Sequence, residues 1–200
     1  MNDGIERLAE DAAILAAMAE QMPEYLDSDT IFWPAPRGGM PALTLGGYLL
    51  REHRLLTLSG LLPPRERVEA GAAVAQFNQA LAGRVVRFEK KAQTELEARL
   101  RQWEESLKDM ERGTFDSSSN YANVVDVRAI IQALVDRLGQ PPYRIAARSG
   151  QHLAALDTRL RNRFEHGDFV WPIEWTAAYP SSEYWWLYGK PRYTEKSDNS

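Results

Sequence analysis

The chain has 200 residues, of which 44% are hydrophobic and 26% charged, with a net charge of -4 and no cysteine. Those proportions suit one globular domain with a core of its own. They exclude disulfides, thiolate metal sites and cysteine nucleophiles. The acidic balance argues against general nucleic-acid binding, which needs an excess of Lys and Arg on at least one face. Asp3, Glu6, Glu10 and Asp11 occupy the stretch where a secretory leader carries positive charge, and no apolar run reaches the ~18 residues needed to cross a bilayer. The resulting expectation is a cytoplasmic chain with no membrane association.

Ile5, Leu8, Ala12, Leu15, Met18 and Met22 recur every three or four residues and predict a first helix over about 5–22, weakening at Pro23. Residues 27–43 hold Pro34, Pro36, Pro41 and Gly38-Gly39, so they cannot form a continuous helix. Ile31, Phe32 and Trp33 give this connector enough apolar surface to pack. Thr44 is an N-cap candidate for a second helix that closes at Ser59-Gly60, with Leu45, Leu49, His53 and Leu56 on one side. The Gly46-Gly47 pair lacks the lysine and hydroxyl residue of a phosphate loop and fits close helix packing instead.

Pro63-Pro64 opens a third element whose stripe of Phe77, Leu81, Val85, Phe88, Ala92, Leu96, Leu100, Trp103, Leu107 and Met110 runs at helical spacing. The mean period is about 3.67 residues, that of a nearly straight helix rather than a heptad coil. Read as one helix over 65–112, it would be about 72 Å long at ~1.5 Å per residue. A compact chain of this size is only about 43 Å across. The long helix therefore either bends, with Gly71 and Gly83 the candidate sites, or projects as an arm. Lys91 with Glu95, Glu97 with Arg101 and Glu104 with Lys108 read as i,i+4 pairs on its solvated face.

After a polar loop over 113–119, Ser119 or Asn120 caps a fourth helix with Val124, Val127, Ile131, Leu134 and Leu138 inward, ended by Gly139. A fifth, carrying Leu153, Leu156, Leu160 and Phe164, stops at Gly167. Residues 169–193 then hold nine of the chain's 20 aromatics in a stretch broken by Pro172, Pro180, Gly189 and Pro191. That segment is too apolar for a disordered tail and too interrupted for a helix. The fold expected is all-α: a bundle of about five helices over 1–168, an irregular aromatic segment over 169–193 packed on it, and a disordered tail over 194–200.

The aromatic segment admits two uses. Its indoles bury themselves over helix grooves with their N–H groups on carbonyls at helix ends, or Tyr184, Trp185, Trp186 and Tyr188 serve as contacts for a partner or a ligand ring. His53 alone on its helix face reads as a hydrogen-bonded neighbour of the core. The three histidines show neither ligand spacing nor a Glu-x-x-His pair, so no metal and no cofactor is expected.

Arg161-Asn162-Arg163-Phe164-Glu165-His166 resembles the Arg-x(4 to 6)-His signature of HEPN ribonucleases, which are helical bundles. The resemblance covers six residues and implies metal-independent RNA cleavage by Arg161 and His166 across a dimer, with Arg159 a second arginine at a permitted spacing. A histidine near neutral pKa would move the proton and an arginine would hold phosphate. Arg159, Arg163 and His166 also read as the wet face of an amphipathic helix, whose last turn favours cations through the dipole. The leading expectation is a non-enzymatic interaction or scaffold domain that binds a protein partner or itself. The ribonuclease is the alternative, and a small-ligand-binding bundle with aromatics over an interhelical pocket is third.

Overall fold

The computed structural model describes residues 3–113 and 121–192. The expected caps Ser119 and Asn120, the 114–119 part of the loop, Tyr193 and the 194–200 tail lie outside the described residues. Six α-helices are present among the described residues: α1 (Asp3–Asp27), α2 (Leu45–Thr57), α3 (Pro64–Leu81), α4 (Val85–Arg112), α5 (Tyr121–Leu138) and α6 (Ala147–Arg161). A two-stranded antiparallel hairpin follows, formed by β1 (Phe164–Phe169) and β2 (Tyr188–Pro191), with two 3-10 turns between the strands. The fold is mostly α, with the aromatic segment packed across the helices.

Helix α1 runs past Pro23 to Asp27, so the proline ends nothing. Leu8, Ala12, Leu15, Met18 and Met22 are fully buried, as their spacing predicts. In the connector, Trp33 and Leu43 pair by two backbone hydrogen bonds of 3.0 and 3.1 Å, closing the proline-rich loop into a bridge. Trp33 sits edge-on to the buried Tyr25. Thr44 caps α2 as expected, its hydroxyl accepting from the Gly47 amide at 3.0 Å.

The stretch expected as one helix over 65–112 is two. Helix α3 ends at Leu81, Gly83 takes φ 77°, and α4 begins at Val85. Only glycine adopts that left-handed backbone without cost, so the interruption falls at one of the two glycines that length alone singled out. Helix α4, at 28 residues, is about 42 Å long and fits the globule. Helix α3 packs on α1, whereas α4 packs on α5 and α6.

One part of the solvated face of α4 is corrected. Lys91 is 5% and Glu95 0% exposed. The Lys91 ammonium donates to the Thr30 carbonyl at 2.6 Å and lies 4.3 Å from the centre of the Tyr25 ring. Glu95 accepts from the Gly46 amide at 3.0 Å, so a carboxylate of α4 satisfies an N–H of the first turn of α2. Glycine is required there: a Cβ on Gly46 would run into Ile130 of α5 and the Glu95 carboxylate. Glu104 and Lys108 do form the predicted surface pair, at 3.2 Å.

Candidate functional site

The aromatic segment is keyed to the helices by a buried charge. Arg54 on α2 and Asp11 on α1 are 7% and 6% exposed and meet at 2.5 Å. The Arg54 Nε donates to the Tyr179 hydroxyl at 3.0 Å, and its guanidinium lies 3.9 Å from the centre of the Trp175 ring. Arg51 Nε stands 2.9 Å from the other Asp11 oxygen, an ion-pair contact bent too far for a hydrogen bond. One guanidinium therefore ties α1, α2 and the aromatic segment together by a charge pair, a hydrogen bond and a stacked ring. The Trp175 indole donates to the Gly4 carbonyl at 2.9 Å and that of Trp171 to the Ala122 carbonyl at 3.2 Å. Both acceptors lie at helix ends, as expected of the indoles, whereas the Trp186 N–H is buried without a hydrogen-bond partner.

The four aromatic candidates divide. Trp185 and Trp186 are 8% and 2% exposed, packed edge to face with each other and covered by Arg161 and Arg128 at 3.9 and 3.7 Å. Arg128 is itself held by two hydrogen bonds of 2.9 Å to Asp157. These indoles are core, so the expectation that they offer a partner contact is corrected. Tyr188 is half-buried, its hydroxyl donating to the Tyr179 carbonyl at 2.7 Å. Tyr184 is also buried, yet it lines the edge of a recess.

The Arg161 to His166 set does not share a helix. Helix α6 ends at Arg161, and His166 lies on β1 opposite Gly189. Arg161 covers Trp185, and His166 lies edge-on to Phe164 at 5.4 Å. Arg159 is held by Glu111 at 2.9 Å, with Glu104 at 3.9 Å. The one-face placement is thus overturned: two of the three side chains are occupied by packing or a carboxylate, and the third sits exposed on a hairpin. Helical spacing carried the stripe through Phe164, but the chain turns into paired strands there, and Gly189, at φ 135°, lies so close to the Glu165 carbonyl that a Cβ would collide with it. His152 meets Glu104 at 3.3 Å. Among the described residues no group of three or more His, Asp or Glu is placed to hold a metal ion.

Three sizeable hollows remain to be weighed by chemistry. One of about 840 Å³ lies between the end of α1 and α4 and is lined mainly by charged and polar residues, among them the Asp27–Arg87 ion pair at 3.5 Å. Asp27 also accepts two 3.0 Å hydrogen bonds from Arg84. A second, about 360 Å³, lies beside Arg54 and Trp171 and holds Asp126 on its wall. Asp126 is exposed by its accessible surface, yet desolvation of its carboxyl by the surrounding atoms pushes its pKa up to about 6, against the pull of Arg54 and Arg51.

The third hollow, about 430 Å³, is a recess between α2, α3 and α5. Leu49, Leu50 and Leu56 of α2, Val74 of α3, and Ala129 and Ala133 of α5 make its apolar walls. Each set falls at helical spacing, so one face of each helix supplies it. Its polar groups converge from the same helices: Glu52 and His53, Asn78, Asp136 and Arg137, with Gln140 just beyond α5 and Tyr184 at the edge. His53 Nε2 lies 2.8 Å from the Ala178 carbonyl, which only accepts, so Nε2 carries the proton. This bears out His53 as a hydrogen-bonded neighbour of the core. Asp136 accepts from Gln132 at 2.7 Å. Burial raises the pKa of both Glu52 and Asp136 above the ordinary carboxylate value.

Glu52 and Arg137 were not singled out from the sequence. Each reads there as one more charged residue on an amphipathic helix. The available signal was position: residues 129, 133, 137 and 140 form a stripe beside the core stripe of α5, small at one end and cationic at the other. No helix is long and apolar enough to cross a membrane among the described residues. Comparison with protein-family models, with curated proteins and with solved structures finds no match to the chain.

Proposed function

We propose that the chain is a small-molecule-binding helical bundle whose ligand occupies the recess between α2, α3 and α5. The observation that carries this is the recess itself: about 430 Å³, within the ~300–1,000 Å³ usual for ligand sites, with aliphatic walls and a few convergent polar groups. Two carboxyls of raised pKa on its lining add the electrostatic mark such sites often bear. Binding through exposed aromatic anchors, the basis of the scaffold expectation, has less support, since Trp185 and Trp186 pack inward. The larger groove by α4 offers no comparable apolar wall.

The test is an NMR titration of the labelled chain with a fragment set. Saturable amide shifts should cluster at Val74, Ala129, Ala133 and Tyr184 for at least one fragment class. Ala133→Phe, which fills the recess, should abolish them while leaving the melt cooperative. Shifts scattered over the surface, or unchanged in Ala133→Phe, would refute the site.

A further inference from the structure

Two opposite charges line the recess from adjacent helices, the Glu52 carboxylate on α2 and the Arg137 guanidinium on α5, and neither side chain has a hydrogen-bond or ion-pair partner among the described residues. They are near enough for the guanidinium to stabilise the carboxylate through space, but not in contact. Arg137 Nε is shielded from solvent without a partner. The guanidinium stands about as far as a cation can and still feel the rings of Phe77, Phe88 and Tyr143, at 6.0, 5.8 and 5.8 Å. Every other ionisable or aromatic-polar group of the recess has an identified neighbour: Asp136 has Gln132, His53 has the Ala178 carbonyl, and Tyr184 lies 3.5 Å from His53 Nε2.

A half-buried guanidinium without a hydrogen-bond partner favours a planar anion that accepts two parallel hydrogen bonds, and a half-buried carboxylate favours an ammonium. A ligand bearing only an anion would sit beside Glu52 and be repelled by it. One bearing only a cation would leave Arg137 as it is. A ligand carrying both satisfies the two at once, and its body meets leucine, valine and alanine.

We propose that the recess takes a small amphoteric molecule, an apolar body with one ammonium and one carboxylate in the manner of an apolar amino acid, the carboxylate on Arg137 and the ammonium on Glu52. This rests on the reading of the recess as a ligand site. Asn78 and Gln140 supply neutral donors and acceptors for what the two charges leave unbonded.

The experiment is an amide-shift titration of the full chain with five related probes. L-phenylalanine and 3-amino-4-phenylbutanoate carry both charges at two spacings; phenethylamine and 3-phenylpropionate carry one each; 2-phenylethanol carries none. At least one doubly charged probe should bind about tenfold or more tighter than every other kind, the ratio expected when one charge-assisted hydrogen bond is lost. Arg137→Met should erase the advantage given by the carboxylate, and Glu52→Gln that given by the ammonium. If either variant fails to fold, the ligand-side comparison on the unaltered chain still decides. Equal or tighter binding of a singly charged or neutral probe at Val74, Ala129 and Ala133 would overturn this proposal while leaving the recess a ligand site. The absence of saturable shifts there with all five would overturn both.

Discussion

Replacing Asp11 by alanine isolates the charge pair that joins α1 to the aromatic segment. The carboxylate is 6% exposed and is the ion-pair partner of both Arg54, at 2.5 Å, and Arg51, at 2.9 Å. Its loss leaves Arg54, 7% exposed, as a buried cation holding only a tyrosine hydroxyl and aromatic faces. Removing one partner of such a pair costs about 3–5 kcal/mol. For a chain of this length each kcal/mol lowers Tm by about 2–4 °C, so Asp11→Ala should melt about 6–20 °C below the unaltered chain. The assay is urea and thermal unfolding followed by circular dichroism. The cost arises from an uncompensated charge, so Arg54→Met in the same background should recover part of it. A single-variant cost under about 1 kcal/mol, typical of an exposed pair, would refute the reasoning. So would a double variant that is less stable than Asp11→Ala alone.

Three further outcomes follow from the same geometry. Asp126 binds its proton more tightly when folded, at about 6 against 3.8 in the free residue. The folded state thus holds the extra proton between those values, and its contribution to stability is lost as pH rises from about 4 through 6. Asp126→Asn should flatten that decline, read from urea midpoints at pH 4, 5, 6 and 7; an unchanged slope would contradict the desolvation of this carboxyl by its neighbours. Gly46→Ala should destabilise by about 1–3 kcal/mol through overpacking against Ile130 and Glu95, measured by chemical denaturation. Arg128→Lys, which loses the paired hydrogen bonds to Asp157 and the flat stack on Trp186, should cost about 1.5–3 kcal/mol in the same assay.

Helical spacing proved a sound guide wherever a helix buries one continuous face. The stripes of α1, α4 and α5 are core along most of their length, with Ile5 and Val124 half-buried and Val85 exposed at helix starts, and Thr44 caps α2 as its position suggested. The break at Gly83 was legible only by comparing helix length with globule diameter, because Gly71 satisfies the same composition rule yet lies within α3. Spacing misled at Phe164, which continues the stripe of Leu156 and Leu160 but belongs to β1. A six-residue strand needs a distant partner, and the partner, Tyr188–Pro191, carries no alternating pattern of its own.

Charge was the weaker signal. Lys91 and Glu95 look like any other i,i+4 pair, but their burial is set by the connector and by the start of α2, which lie far away in sequence. The recess was illegible for a related reason. Its walls come from three helices whose relative rotation no single stripe encodes, and Glu52 and Arg137 matter only because helix packing sets them side by side without contact. The aromatic segment, by contrast, announced its burial through composition, and of its rings Tyr184 is the one that lines this recess.

The claim on which the rest depends is that the aromatic segment is locked onto the helices, since it anchors Arg54 and supplies Tyr184 to the recess. Hydrogen exchange at the Trp175 indole tests this most directly, because that N–H donates to the Gly4 carbonyl across 171 residues of sequence. The account predicts that this proton exchanges only through global unfolding, with the same protection as the core amides of α1 and α2. Rapid exchange of the indole while those amides stay protected would contradict it.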